Sequence, residues 1–101
     1  MTNLAYALAR AELIRALTAY TGITTADGAP DGSTIIDVNL KDNPSISASA
    51  IPEKTILIMS GAAIMEDKGA ASFVNATGTI TLETGFSAQI KVGTIFRILN
   101  R

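Results

Sequence analysis

Glycines recur at positions 61, 69, 78, 85 and 93, cutting the second half of the chain into intervals of six to eight residues. Intervals that short suit β-strands joined by tight turns and leave no room for ordinary helices. Each interval reads accordingly. Lys54 to Ser60 contains Ile56-Leu57-Ile58-Met59, apolar on both faces, which predicts a central or covered strand. Ala71 to Asn75 reads as a short strand around Phe73, and Thr79 to Thr84 alternates with Ile80 and Leu82 inward. Thr94 to Asn100 is again apolar on both faces through Ile95, Phe96, Ile98 and Leu99. Upstream, Thr34 to Leu40 alternates with Ile36, Val38 and Leu40 on one side. Lys41 to Glu53, with two prolines and three serines, reads as a long loop.

The first twenty residues obey a different grammar. Residues 3 to 20 hold six alanines, two arginines and one glutamate with no Gly or Pro, which predicts a helix capped by Thr2 or Asn3 and ended at Gly22. At about 100° per residue, Tyr6, Leu13, Leu17 and Tyr20 gather on one side. Leu4 and Leu8 fall nearly opposite, beside Glu12 and Arg15. A helix apolar on two sides has one side for its own domain and another for a neighbouring chain, so these six residues are the expected oligomer interface. Thr21 to Ser33, with two Asp-Gly pairs and Pro30, reads as a connector. The expectation is a mainly β chain: an N-terminal oligomerisation helix (1–22), a linker (23–33), and a small antiparallel five-stranded β-barrel or sandwich (34–101).

Composition narrows function by exclusion. The chain has 101 residues, 48% hydrophobic and 17% charged, with no Cys and no His. Structural zinc sites of the usual kinds, thiol nucleophiles, disulfides and imidazole acid–base catalysis therefore have no residues to work with. A net charge of -1 offers no basic face for phosphates, so nucleic acid is not an expected partner. The longest apolar run carries Arg10, Glu12 and Arg15 in its middle, which argues against a spanning helix and an export signal. No membrane partner is expected. A mean hydropathy of +0.33 instead suggests that much of the surface is covered by other subunits.

The candidate chemical motifs each have a simpler reading. Asp27-Gly28-Ala29-Pro30-Asp31-Gly32 lacks the ligand spacing and closing Glu of a calcium loop, and turn chemistry accounts for it. Glu66-Asp67 could be a carboxylate pair, but neighbouring residues point apart and a solvated loop is the better reading. Ser60-Gly61 sits at a strand end without a Gly-X-Ser-X-Gly elbow or a histidine. Lys68-Gly69 reverses the order a phosphate-binding loop requires. Phe73, Phe86 and Phe96 fall where core residues belong rather than on a nucleic-acid platform. No catalytic, cofactor-binding or metal-ligating residue is expected.

The order Ser-Thr-Ile-Ile-Asp-Val-Asn-Leu (33–40), Ile-Leu-Ile-Met-Ser-Gly (56–61), Asn-Ala-Thr-Gly-Thr-Ile-Thr-Leu (75–82), Gly-Phe-Ser-Ala-Gln (85–89) and Gly-Thr-Ile-Phe-Arg-Ile-Leu (93–99) resembles a small β module of tailed-bacteriophage virion proteins. The resemblance covers about two-thirds of the chain. One stretch departs from it: Ala62-Ala63-Ile64-Met65-Glu66-Asp67-Lys68 stands where such modules often carry glycine and basic residues. The resemblance implies a non-enzymatic structural role in a phage particle, as a head-decoration or accessory component. It further implies a virion location after assembly in the host cytoplasm, and contacts with the major capsid or another virion protein. Self-association, most simply a trimer, is the expected assembly. The alternative is a receptor- or carbohydrate-binding module of a tail-associated protein, which the absence of Trp disfavours.

Overall fold

The computed structural model describes residues 9, 10, 12, 16–44 and 46–100. Six strands build it: β1 (Thr18–Ile23), β2 (Thr34–Ile36), β3 (Thr55–Ile58), β4 (Asp67–Val74), β5 (Thr79–Leu82) and β6 (Ile95–Leu99). They form one antiparallel sheet in the order β1-β6-β3-β4-β5-β2. The order is open, yet its two edges approach each other. Ala26, just beyond β1, forms an isolated antiparallel bridge with Ile36 of β2, and the Thr25 N–H donates to the Ile36 carbonyl at 2.9 Å.

Where the strand expectations held, burial explains why. β3 lies between β6 and β4, and Ile56, Leu57 and Ile58 are all buried. Ile56 and Ile58 join Ile98 and Phe96, their register partners, in the main core, together with Ile35, Leu40, Ile51, Ile80 and Ile90. Ile80 and Leu82 of β5 face the same interior. The long loop supplies Ile46 and Ile51 to it, the latter from a short 3₁₀ turn, Ile51–Glu53, with Pro52 inside its first turn.

Several expectations require correction. The predicted helix does not extend through Tyr20, because Thr18, Ala19 and Tyr20 open a strand that pairs with β6. The described residues contain no helix of seven or more residues. Leu4, Tyr6, Leu8 and Leu13 lie outside the described residues. The residues of β1 explain the change: Thr18, Thr21 and Ile23 are β-branched and Tyr20 is aromatic, so the segment suits a pleated surface once β6 is beside it. Gly22 is no helix terminator. It lies inside β1, where a Cβ would come within 2.6 Å of the Asp37 carboxylate and the Tyr20 ring and 2.9 Å of Phe96. The boundary drawn at residue 22 thus falls within a strand, and the described residues form six strands instead of five.

The alternation of Thr34 to Leu40 also ends early. β2 stops at Ile36, and Val38–Leu40 forms a 3₁₀ turn whose N-cap Asp37 accepts the Asn39 N–H at 3.0 Å. Ile35 and Leu40 are consequently the buried residues, while Val38 is exposed. Finally, of the Glu66-Asp67 pair expected in a solvated loop, Asp67 begins β4 opposite Leu57.

A candidate interaction surface at one end of the sheet

The residues with the most obvious chemical potential are committed to holding loops. Asp27 Oδ1 accepts the Val92 N–H at 2.8 Å, joining the first connector to the loop before β6. Asp31 Oδ1 accepts the Ser33 N–H at 3.0 Å, and hydrogen bonding from Ser33, side chain first and backbone second, lowers the Asp31 pKa. Glu66 takes the Ser87 N–H at 2.9 Å and the Ser87 hydroxyl on its two oxygens, so its pKa too lies below the usual carboxylate value. Ser60 Oγ accepts the Ile95 N–H at 2.9 Å. No three Asp or Glu side chains cluster as a metal site among the described residues.

The interior holds a charged group that no sequence motif singles out. Asp37 is fully buried. Its Oδ2 accepts the Tyr20 hydroxyl at 3.0 Å and its Oδ1 the Asn39 amide, so each oxygen has a donor. Tyr20 packs tilted against Phe96, ring centroids 6.1 Å apart, and its phenol pKa is pushed up to about 12, by burial first and then by the hydrogen bond and charge of Asp37. The backbone there is equally tight. The Asp37 N–H donates to the Gly78 carbonyl at 3.0 Å, and Gly78, at φ +70°, comes so close that a Cβ would lie 2.1 Å from the Asp37 carbonyl oxygen. This arrangement ties β1 to the segment after β2 across the narrow closure of the sheet. Tyr20, expected at an oligomer interface, packs against the core; Leu17 is exposed.

The surface tells a different story. Among the described residues, eight large hydrophobic side chains are exposed, and five of them occupy one end of the molecule: Ile23, Ile64, Met65, Val92 and Ile95. The register brings them together. Ile23 at the end of β1 faces Ile95 at the start of β6, so their side chains are direct cross-strand neighbours on the outer face. The Met59 N–H donates to the Ile95 carbonyl at 2.8 Å, which places half-buried Met59 on the other side of Ile95. Val92 lies in the loop entering β6, and Ile64-Met65 in the loop leaving β3.

That last loop is held rigidly. The Met65 N–H donates to the Ile58 carbonyl at 2.7 Å, while the Ile58 N–H donates to the Glu66 carbonyl at 3.0 Å. Two residues therefore oppose one, a β-bulge whose first residue is normally a left-handed glycine. Here it is Met65, at φ +68°. Ala63 is buried in the core two residues earlier, and Glu66 fastens the loop to Ser87. A methionine at that φ costs about 1–3 kcal/mol and fills no interior space, since it is exposed. The signal available in the sequence was the apolar pair Ile64-Met65 in a hairpin loop, at the point where the chain departs from the pattern it resembles. Comparison with protein-family models, with curated proteins and with solved structures gives no match.

Proposed function

We propose that this chain is a non-enzymatic structural protein of a phage particle, a head-decoration or accessory component that works by self-association and by contact with a capsid or other virion protein. The observation that carries the assembly part is the concentration of exposed Ile23, Ile64, Met65, Val92 and Ile95 at one end of the sheet. Small soluble proteins scatter such residues; a contiguous apolar end rimmed by polar groups marks a contact surface. The commitment of Asp27, Asp31, Ser60 and Glu66 to loop hydrogen bonds supports a role without catalysis. The particle assignment draws on the resemblance of residues 33–99. In this reading the sheet, with its edges joined at Ala26 and Ile36, acts as a small barrel that presents the apolar end as a rigid unit.

Light scattering of the purified protein at micromolar concentration tests the assembly, with Ile95→Glu as the variant. The expected result is an oligomer that the substitution dissociates without lowering the melting temperature by more than a few degrees. A wild-type monomer of 10.5 kDa would overturn it. Mass spectrometry of purified particles from cells carrying the gene tests the location: the protein is expected in the particles, and its consistent absence from them would refute the virion role.

A further inference from the structure

We infer that Met65 is a redox-sensitive modification site: hydrogen peroxide oxidises its thioether to the sulfoxide, and the oxidised copy is excluded from self-association. The inference deepens the reading of the apolar end as an association surface and rests on it.

Composition sets the target. The chain has no Cys, Trp or His, so peroxide meets no thiol, indole or imidazole, and the three methionines are the most readily oxidised side chains. Two of them, Met59 and Met65, lie among the described residues, and their settings differ. Met59 is half-buried beside Ile95, to whose carbonyl its N–H donates at 2.8 Å. Met65 is 39% exposed. The backbone fixes that exposure. The Met65 N–H is bound to the Ile58 carbonyl and the Ile58 N–H to the Glu66 carbonyl, which hold Met65 at φ +68°. Buried Ala63 and Ser87-bound Glu66 anchor the loop on either side of it.

The chemistry needs only the thioether and the peroxide. A lone pair of the sulfur attacks a peroxide oxygen, so an S–O bond forms as the O–O bond breaks. Sulfur loses two electrons, the departing hydroxide takes up the remaining hydroxyl proton, and one water is released. A methionine sulfoxide reductase supplied with a dithiol reverses the step, yielding a disulfide and water.

The change bears directly on association. A thioether is apolar and deformable, which suits a contact surface. A sulfoxide carries an acceptor oxygen, and covering it with Ile and Val side chains leaves that acceptor without a donor. The Ser87 hydroxyl, which is fastened to this loop, is already given to Glu66. Self-association is therefore expected to weaken about tenfold or more. A copy already assembled has Met65 covered, so association in turn slows the oxidation.

Exposure to dilute hydrogen peroxide, followed by sedimentation and tandem mass spectrometry, tests this. Met59 and Met65 share the tryptic peptide Thr55–Lys68, and fragmentation tells them apart. In dilute protein, Met65 is expected to gain oxygen about threefold or more faster than Met59, and more slowly once the protein is concentrated enough to associate. The oxidised sample is expected to show the weakened association, and the reductase to restore it. Met65→Leu should associate as wild type and continue to do so after peroxide, whereas Met59→Leu should remain sensitive. If Met65→Leu does not fold, recovery by the reductase gives the same answer on the wild-type chain. Oxidation of Met59 ahead of Met65, a Met65 sulfoxide that associates as before, or a Met65→Leu protein that peroxide still dissociates would overturn the switch and leave self-association standing. A wild-type monomer removes both.

Discussion

The Asp37 seam and the Ile23–Ile95 end treat their awkward groups in opposite ways. At the seam a carboxylate is removed from water, and both of its oxygens receive donors, from Tyr20 and Asn39. At the apolar end, large side chains remain in water and a methionine sits in a backbone conformation that suits glycine. The first region is locally complete, so its residues act on folding. The second, on the proposed reading, is completed by another molecule, so its residues are expected to act on association. A substitution that moved both properties together, at either place, would break the distinction.

The largest effect is expected from Asp37→Ala. It leaves the Tyr20 hydroxyl and the Asn39 amide without their acceptor in a buried site, and urea denaturation is expected to show a loss of about 3 kcal/mol. Tyr20→Phe removes one donor and keeps the ring on Phe96, so a loss of about 1 kcal/mol is expected. Its pH signature is specific. The folded phenol has a pKa of about 12 against an ordinary 10.0, so the neutral form is favoured by folding. The stability it contributes is complete below pH 10 and is lost as pH rises towards 12. Tyr20→Phe should flatten that alkaline limb, as followed by denaturation at stepped pH.

Met65→Gly should act with the opposite sign. Relief of the left-handed strain is expected to raise stability by about 1 kcal/mol while weakening self-association, read by thermal melting and sedimentation of one sample. Loss of stability with association unchanged would place Met65 on the folding side of the comparison. The smallest effect concerns Glu66, which is held by Ser87 with its pKa lowered. A depressed carboxylate stabilises the fold above its unfolded value, 4.5, and loses that contribution as pH falls through the lower folded one. Glu66→Gln is therefore expected to lower stability slightly at neutral pH and to flatten the acid limb below about pH 4.5.

Local pattern made the later strands legible. Thr79–Leu82 alternates, and β3 and β6 are apolar throughout, so their type followed from neighbours in sequence. That β3 and β6 lie side by side, merging their outer faces, was not legible, because nothing local states which strand pairs with which. β1 was missed for the same reason. Its alanine-rich approach favours helix up to Tyr20, and what overrides that preference is pairing with residues 95–99 and a hydrogen bond to Asp37. Asp37 itself looked like the outward half of an alternating strand. Only the capping bond to Asn39 and the close approach of Gly78 reveal why the strand ends there. Of the candidate surface, Ile95 belongs to a strand whose sequence is apolar on both faces, whereas the local pattern around Ile23 suits a linker and that around Ile64-Met65 a loop.

The pairing of β1 with β6 also gives the molecule a direction. Thr18 lies opposite Leu99, and the Asn100 N–H donates to the Leu17 carbonyl at 2.9 Å, so the chain enters and leaves the sheet at one corner. Ile23 and Ile95 are at the other end of the same two strands, about 17–20 Å away for a six-residue strand. The points where the chain enters and leaves the sheet therefore lie on the side remote from the apolar end. The body can be tethered from behind while its front surface stays free to dock, and a fluorophore or affinity handle placed at that corner would report on docking without obstructing it.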